Sequence, residues 1–186
     1  ATSDGGAIDS GGRKLTIRRS SFLKNAAISS NGALPSNGGA LHGGGTVLIT
    51  DSTFSENLST LRGGAINHDV GTLTMVQCTL ASNIARDHGG AIAVEHATLN
   101  MTNVTISGNK ANDDELGVQH AGGVHNDGGG IVHIANSIIA GNTARLSPNP
   151  DVFGLFTSDG YNLIGAVNGS SGWTAADLTE IGRAHV

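Results

Sequence analysis

Fifteen carboxylates and eight histidines are the residues of this 186-residue chain that could do acid–base or metal chemistry. Their spacing is informative. The stretch after each Gly-Gly pair presents Asp9, His42, Asn67, Ala93 and Asn126, and two positions further on stand Gly11, Gly44, Asp69, Glu95 and Gly128. Carboxylates and amides repeating in this way would make a polar strip suited to a ligand, so Asp9, His42, Asn67, Asp69, Glu95 and Asn126 are the candidate ligand-binding residues. Cleavage of a polysaccharide needs more: several carboxylates around Ca²⁺ with a basic residue, or two or three carboxylates at fixed separation. Asp69 and Glu95 alone supply neither set, so the balance of residues favours a chain without catalytic residues. The histidines show no HExxH or His-x-His spacing and read as solvated side chains, and neither a metal nor another cofactor is expected. His125, standing where other repeats have Ile or Leu, is expected to point inward. The acidic run Asp113, Asp114 and Glu115 reads as a solvated loop, and with the earlier insertion around Ile28–Pro35 it forms the protruding edge where recognition would concentrate.

What positions these residues is a repeat. GGAI at Gly5, GGAL at Gly38, GGAI at Gly63, GGAI at Gly89 and GGVH at Gly122 are each followed, 19 or 20 residues after the first Gly, by Asn25, Asn57, Asn83, Asn109 and Asn142. Insertions fall after the Asn. Between the two halves the apolar residues alternate (Leu15-x-Ile17, Val47-x-Ile49, Leu73-x-Met75, Leu99-x-Met101, Val132-x-Ile134), which is the period of a half-buried strand and no helical stripe. Aligned on the Asn, the repeats give columns of one chemical type, among them Phe22, Phe54, Leu80, Ile106 and Ile139. Only a solenoid of parallel strands stacks like on like in this way. The five Asn residues are expected to form a structural ladder at a corner, where an amide can both donate and accept. Cys78 falls in a column of small residues with Ser20, Ser52, Val104 and Ser137 and reads as a buried thiol. Because parallel crossovers are right-handed in nearly all sheets, the expected fold is all-β: a right-handed, single-stranded parallel β-helix of about five to six coils.

Composition agrees with small-residue packing: 29 Gly, only 3% aromatic and 13% charged residues. A net charge of −5 leaves no basic stripe for a phosphate backbone, so no nucleic-acid partner is expected. A single Cys excludes an intramolecular disulfide framework, and no apolar run reaches the length of a transmembrane segment.

With GGA[ILV] and FxxN in hand, residues 5 to about 145 resemble the repeats of chlamydial polymorphic outer membrane proteins, on a pectin-lyase-like solenoid. Asn149–Gly165 (NPDVFGLFTSDGYNLIG) and GWTAADLT are similar to the end of the β-helix in secreted bacterial proteins with a choice-of-anchor Q domain. The resemblance implies an extracellular or bacterial cell-surface, outer-membrane-associated scaffold of structural or adhesin-like kind. Its implied partners are a polysaccharide or another cell surface, with membrane or wall attachment through a C-terminal region outside this fragment. The acidic motifs and paired Arg and Lys of polygalacturonases are missing. The expected organisation is residues 1–165 as β-helix repeats, 166–180 as a C-terminal flank and 181–186 as a non-native tail. The alternative is a carbohydrate-active β-helix, a polysaccharide lyase or glycoside hydrolase, with its catalytic coils outside the fragment. At least three converging carboxylates, or a carboxylate–base pair, in one exposed groove would favour it.

Overall fold

The computed structural model of the chain describes residues 4–28, 36–111, 121–145, 148 and 150–181. Both predicted protruding loops lie mainly outside the described residues, as do His120, His185 and nearly all of the expected tail. Among the described residues every regular element is a strand, every strand pairing is parallel, and no helix is long and apolar enough to cross a membrane.

One turn of the chain is a long strand, a bend, a three-residue strand, a second bend and a two-residue strand. Ile66–Val76, Thr79–Ala81 and Ile84–Ala85 make one such turn, and Ile92–Thr102, Thr105–Ser107 and Lys110–Ala111 make the next. Stacking of the turns produces a nine-stranded sheet of the long segments, a six-stranded sheet and a five-stranded sheet. Successive turns lie in register, with Leu73 beside Leu99, Met75 beside Met101 and Leu80 beside Ile106. The architecture fits a parallel β-helix.

The alternating residues enter the interior as their period requires. Val47, Leu73, Leu99 and Val132, then Ile49, Met75, Met101 and Ile134, then Phe54, Leu80, Ile106 and Ile139 are all at most 2% exposed. Burying side chains of this size contributes about 2–3 kcal/mol each before chain entropy is counted. Phe22 stacks on Phe54 at 4.6 Å between ring centroids. Cys78 is buried, its thiol donates to Val76 O (3.3 Å), and burial pushes its pKa up, so it is a packing residue.

Two bends per turn are made by residues in the left-handed region, and most are not glycine. Arg19, Asp51, Gln77, Asn103, Asn136 and Tyr161 hold φ between +48° and +60° at the first bend, and Lys24, Glu56 and Ser82 hold +54° to +57° at the second. Such a conformation costs an L-residue about 1–2 kcal/mol, so the hydrogen bonds around it must fix it. They do. After the second bend Asn25 donates through its backbone N–H and Nδ2 to Asn57 Oδ1, Asn57 does the same to Asn83, Asn83 to Asn109 and Asn109 to Asn142, all between 2.8 and 3.0 Å. Each Nδ2 from Asn57 onward also donates to a backbone carbonyl of the turn before it, for example Asn83 to Phe54 O at 3.0 Å.

The ladder ends on a carboxylate. Asn142 donates through N–H and Nδ2 to Asp151 Oδ1, both at 2.9 Å, and Asp151 Oδ2 accepts from Ala166 N–H. The other corner ends likewise: Ser137 N–H donates to Asn162 Oδ1, and Asn162 donates through N–H and Nδ2 to Asp177 Oδ1. A terminal rung needs only acceptors, and an ionised Asp is acceptor-only. Burial would raise the Asp177 pKa, but hydrogen bonds from Thr174, Ser158 and Asn162 outweigh it and bring it to about 2. The depressed value contributes roughly 2 kcal/mol of stability, present above the ordinary carboxylate range and lost as pH falls from about 4 through 2. Asp177→Asn should therefore be less stable by about that amount at pH 7 and lose less on acidification, measured by denaturant unfolding at each pH. Equal pH slopes for the two proteins would contradict this role.

The last Gly-Gly repeat sits one residue out of the expected frame. Ile92 pairs with Val124, Ala93 with His125 and Val94 with Asn126. The motif there is therefore Ala121-Gly122-Gly123-Val124, with Ala121 (φ 54°) at the position of Gly5, Gly38, Gly63 and Gly89 (φ 64–74°). His125 is consequently not inward-pointing but lies on the outer face, while Asn126, expected outside, turns inward opposite Val94 and is 5% exposed. Length changes are also not confined to the segment after the Asn. The long strand loses a residue at the Gly43/Gly45 irregularity, and the Asp127–Gly130 bend absorbs an extra one.

Candidate ligand-binding strip

On the outer face of the long sheet, just after the glycines, the register stacks Asp9, His42, Asn67, Ala93, His125 and Phe153 in one column. A second column follows two residues later. His68 pairs with Val94 and Val70 with His96, which sets Asp69 beside Glu95, and Asp127 extends this column because its N–H donates to Val94 O. Asp127 replaces the Gly128 expected there. A third column precedes the glycines: Asp4, Asn37, Arg62 and His88, set by the bonds from Gly5 N–H to Asn37 O, Gly38 N–H to Arg62 O and Gly63 N–H to His88 O.

The columns meet in two charged clusters. His42 Nε2 lies 3.0 Å from Asp69 Oδ2 and 3.8 Å from Asp4 Oδ2, and Nδ1 lies 3.7 Å from Asp9 Oδ1. Three carboxylates from the turns before and after thus surround one imidazole. Burial alone would lower its pKa, but the hydrogen bond to Asp69 and the charges of Asp4, Asp69 and Asp9 raise it above the ordinary value. The same hydrogen bond, aided by Asn67, holds Asp69 below the usual carboxylate range against its burial. In the second cluster Arg62 reaches Asp87 (Nε to Oδ2, 3.3 Å) and Glu95 (Nη1 to Oε1), while His88 Nε2 lies 3.2 Å from Asp87 Oδ1. Ala93, two residues before Glu95, is fully buried although it faces outward. His125 stacks between His88 (4.4 Å) and Phe153 (5.2 Å). The Gly128 N–H, reinforced by His125, Arg62 and His88, holds Asp127 below the usual range.

Of the six residues expected to bind a ligand, the fold gathers Asp9, His42, Asn67 and Asp69 into one cluster. Glu95 joins Arg62 instead, and Asn126 is inside. Asn67 faces outward but is only 1% exposed. Sequence reasoning passes over Asp4, Arg62 and His88, although the same alignment contains the residue before each Gly-Gly pair, and over Asp87, which stands one residue ahead of that column. Among the described residues no group of three or more His, Cys, Asp or Glu is arranged to hold a metal ion.

Behind the strip, His68 points into the solenoid in the column of Val94 and Asn126, 1% exposed. Burial lowers its pKa against the pull of Asp69 and a hydrogen bond to the Gly45 backbone. Its unfolded form takes up a proton more readily than its folded form, so stability is lost as pH falls below about 6.5. His42 acts oppositely: its contribution is complete below about 6.5 and lost as pH rises through its raised folded value. His68→Val, which copies Val94, should therefore flatten the unfolding free energy between pH 6.5 and 5 and leave the alkaline-side loss in place. Superimposable pH profiles for the variant and the original chain would refute this assignment.

The fold is thus a parallel-strand solenoid bearing a charge-paired polar strip. Residues 51–69 match the Chlamydia polymorphic membrane protein repeat. The matched segment runs from the bend at Asp51 through FSEN and the ladder residue Asn57 to GGAI, Asn67 and Asp69, so the resemblance read from the two motif halves holds where both are present. Neither the curated proteins nor the solved structures contain a match to the chain.

Proposed function

We propose that the chain is a right-handed β-helix scaffold of about five to six coils, displayed on a bacterial surface, that contacts a glycan or another cell surface through its outer strip and performs no catalysis. The observation that carries this reading is the stacking of Asp9, His42, Asn67 and Asp69 from three successive turns on one face, with the charges already paired. A polysaccharide-cleaving general acid needs a carboxyl held above its ordinary pKa. Asp69 and Asp127 are held below it. Surface display is supported by the match of 51–69 to a membrane-protein repeat and by the similarity of Asn149–Gly165 to choice-of-anchor Q proteins, which also supports adhesion and attachment to the cell exterior.

The carbohydrate-active reading is favoured by one feature, the convergence of Asp4, Asp9 and Asp69 on His42 within 4 Å. A panel of neutral and uronic polysaccharides separates the two. The scaffold is expected to retain oligosaccharides on an array and to release no reducing ends, whereas chain cleavage abolished by Asp69→Ala or Glu95→Ala would establish an enzyme.

A further inference from the structure

Two buried polar atoms in the strip have no hydrogen-bond partner: His42 Nδ1 and Asn67 Oδ1. Their residues are register partners on adjacent strands, so the side chains stack about 4.8 Å apart. Asp69 fixes the chemistry of both. Its Oδ1 accepts from Asn67 Nδ2, which orients the amide and leaves the carbonyl oxygen as the orphan, and its Oδ2 takes His42 Nε2. Asp4, Asp9 and Asp69 raise the imidazole pKa above its ordinary value of about 6.5, so at pH 6 both ring nitrogens carry hydrogen and Nδ1–H is an orphan donor. Asp9 is too far from Nδ1, at 3.7 Å, to accept that hydrogen. Side by side stand one donor and one acceptor, both unmet. Buried polar groups without partners are uncommon enough to need an occupant.

We infer that His42 Nδ1 and Asn67 Oδ1 together form a seat for a single hydroxyl group of a neutral glycan. A hydroxyl accepts from Nδ1–H through its lone pair and donates its one hydrogen to Asn67 Oδ1, which satisfies both atoms. An ammonium group of an amino sugar has no lone pair to accept the Nδ1 hydrogen, so even though the three carboxylates attract it, it leaves His42 unmet. A carboxylate has no hydrogen for Asn67 and meets Asp4, Asp9 and Asp69. The exposed Asp9 carboxylate at the margin of the seat accepts from a neighbouring hydroxyl of the same sugar, and because both orphan atoms are buried, a side chain at that margin moves aside as the sugar docks. This inference rests on the glycan-binding reading above and narrows it to neutral sugars.

The test titrates the full chain with neutral gluco- and manno-oligosaccharides, oligogalacturonate and oligoglucosamine at pH 6 by calorimetry. In parallel the ¹⁵N resonance of His42 Nδ1 is followed in the unsubstituted protein. The expected result is binding of a neutral oligosaccharide with a shift of that resonance, and a loss of affinity of about tenfold in Asn67→Leu, whose shape is similar but which has no acceptor. If Asn67→Leu fails to fold, the resonance shift decides alone. Binding of only acidic or cationic sugars, or neutral binding that leaves the His42 resonance unmoved, overturns the hydroxyl seat while glycan binding stands. Binding of no sugar, with the two orphan atoms satisfied by water, overturns both.

Discussion

Asn83→Ala should cost about 3–5 kcal/mol in denaturant unfolding, several times the effect of the same change at Asn25. Asn83 is fully buried and occupies the middle of its ladder. Its Oδ1 accepts from both Asn57 N–H and Asn57 Nδ2, and its Nδ2 donates to Asn109 Oδ1 and Phe54 O. Truncation leaves some partners served: Asn57 Nδ2 keeps Phe22 O, and Asn109 Oδ1 keeps Asn83 N–H. Asn57 N–H and Phe54 O are left without these bonds inside a corner from which water is excluded, and each unmet group costs about 1–3 kcal/mol. The αL conformations of Glu56 and Ser82 beside the ladder also lose the bonds that hold them. Asn25, by contrast, is half-buried, and Asn57 Oδ1 still receives Asn25 N–H when the side chain is removed. About 1 kcal/mol is expected there. Equal losses at the two positions would mean that the corner is held by its apolar neighbours and that the ladder is incidental.

The columns were legible because a stacked strand tolerates only residues compatible with themselves, so Leu73 over Leu99 and Met75 over Met101 announce their own register. Where that self-similarity fades, the reading failed. At Ala121–Val124 the two glycines in a row set the frame one residue late, because the first position of the motif is held by an alanine with φ of 54°. The error carried His125 inward, Asn126 outward and Asp127 out of the acidic column, and no single-sequence rule gives αL to an alanine. The corners at Arg19 and Gln77 are hidden for the same reason. At Arg19 and Gln77 the conformation is imposed by the surrounding hydrogen bonds, whereas Asp51, Asn103 and Asn136 are of the types that visit it readily but show it only once the corner is known.

The two terminal carboxylates were hidden differently. Asp151 caps the Asn ladder from another column: its carbonyl accepts from Val124 N–H, where Gly123 and Ala91 stand in earlier turns, and its side chain reaches Asn142 only nine residues back. A periodic search looks one full turn ahead and passes over it. The clusters of the strip were half legible for a related reason. Column membership follows from spacing, but which carboxylate wins which cation depends on side-chain reach. Arg62 extends to the next turn and takes Glu95 and Asp87, leaving Asp69 to His42.

The frame of the Gly-Gly motif makes the second glycine the demanding one, and Gly64→Ala tests this with the largest expected loss. At Gly64 a Cβ would stand 2.1 Å from Gly90 O in the next turn and 2.6–2.7 Å from the backbone of Ile84, the strand that completes the same turn. Gly6, Gly39 and Gly90 meet the carbonyl of the following turn in the same way, at 2.0–2.4 Å, and Gly122 meets Thr143 O in the strand that closes its own turn at 2.3 Å. Backbone cannot swing aside as a flexible side chain can. Start and end of each turn close on one another here, and an added methyl must push the turns apart and break strand hydrogen bonds on both sides. The expected loss exceeds about 4 kcal/mol, a large share of the roughly 5–15 kcal/mol that ordinarily holds a domain folded. Gly108→Ala is the control: its φ is +66°, but a Cβ there meets nothing closer than 3.8 Å, and Ser82 and Glu56 hold the same bend position in earlier turns. It should cost about 1 kcal/mol, the ordinary penalty for αL. If circular dichroism and urea unfolding show Gly64→Ala no worse than Gly108→Ala, then turn closure does not depend on backbone-to-backbone contact. The invariance of that column from Gly6 to Gly122 would then have no steric cause.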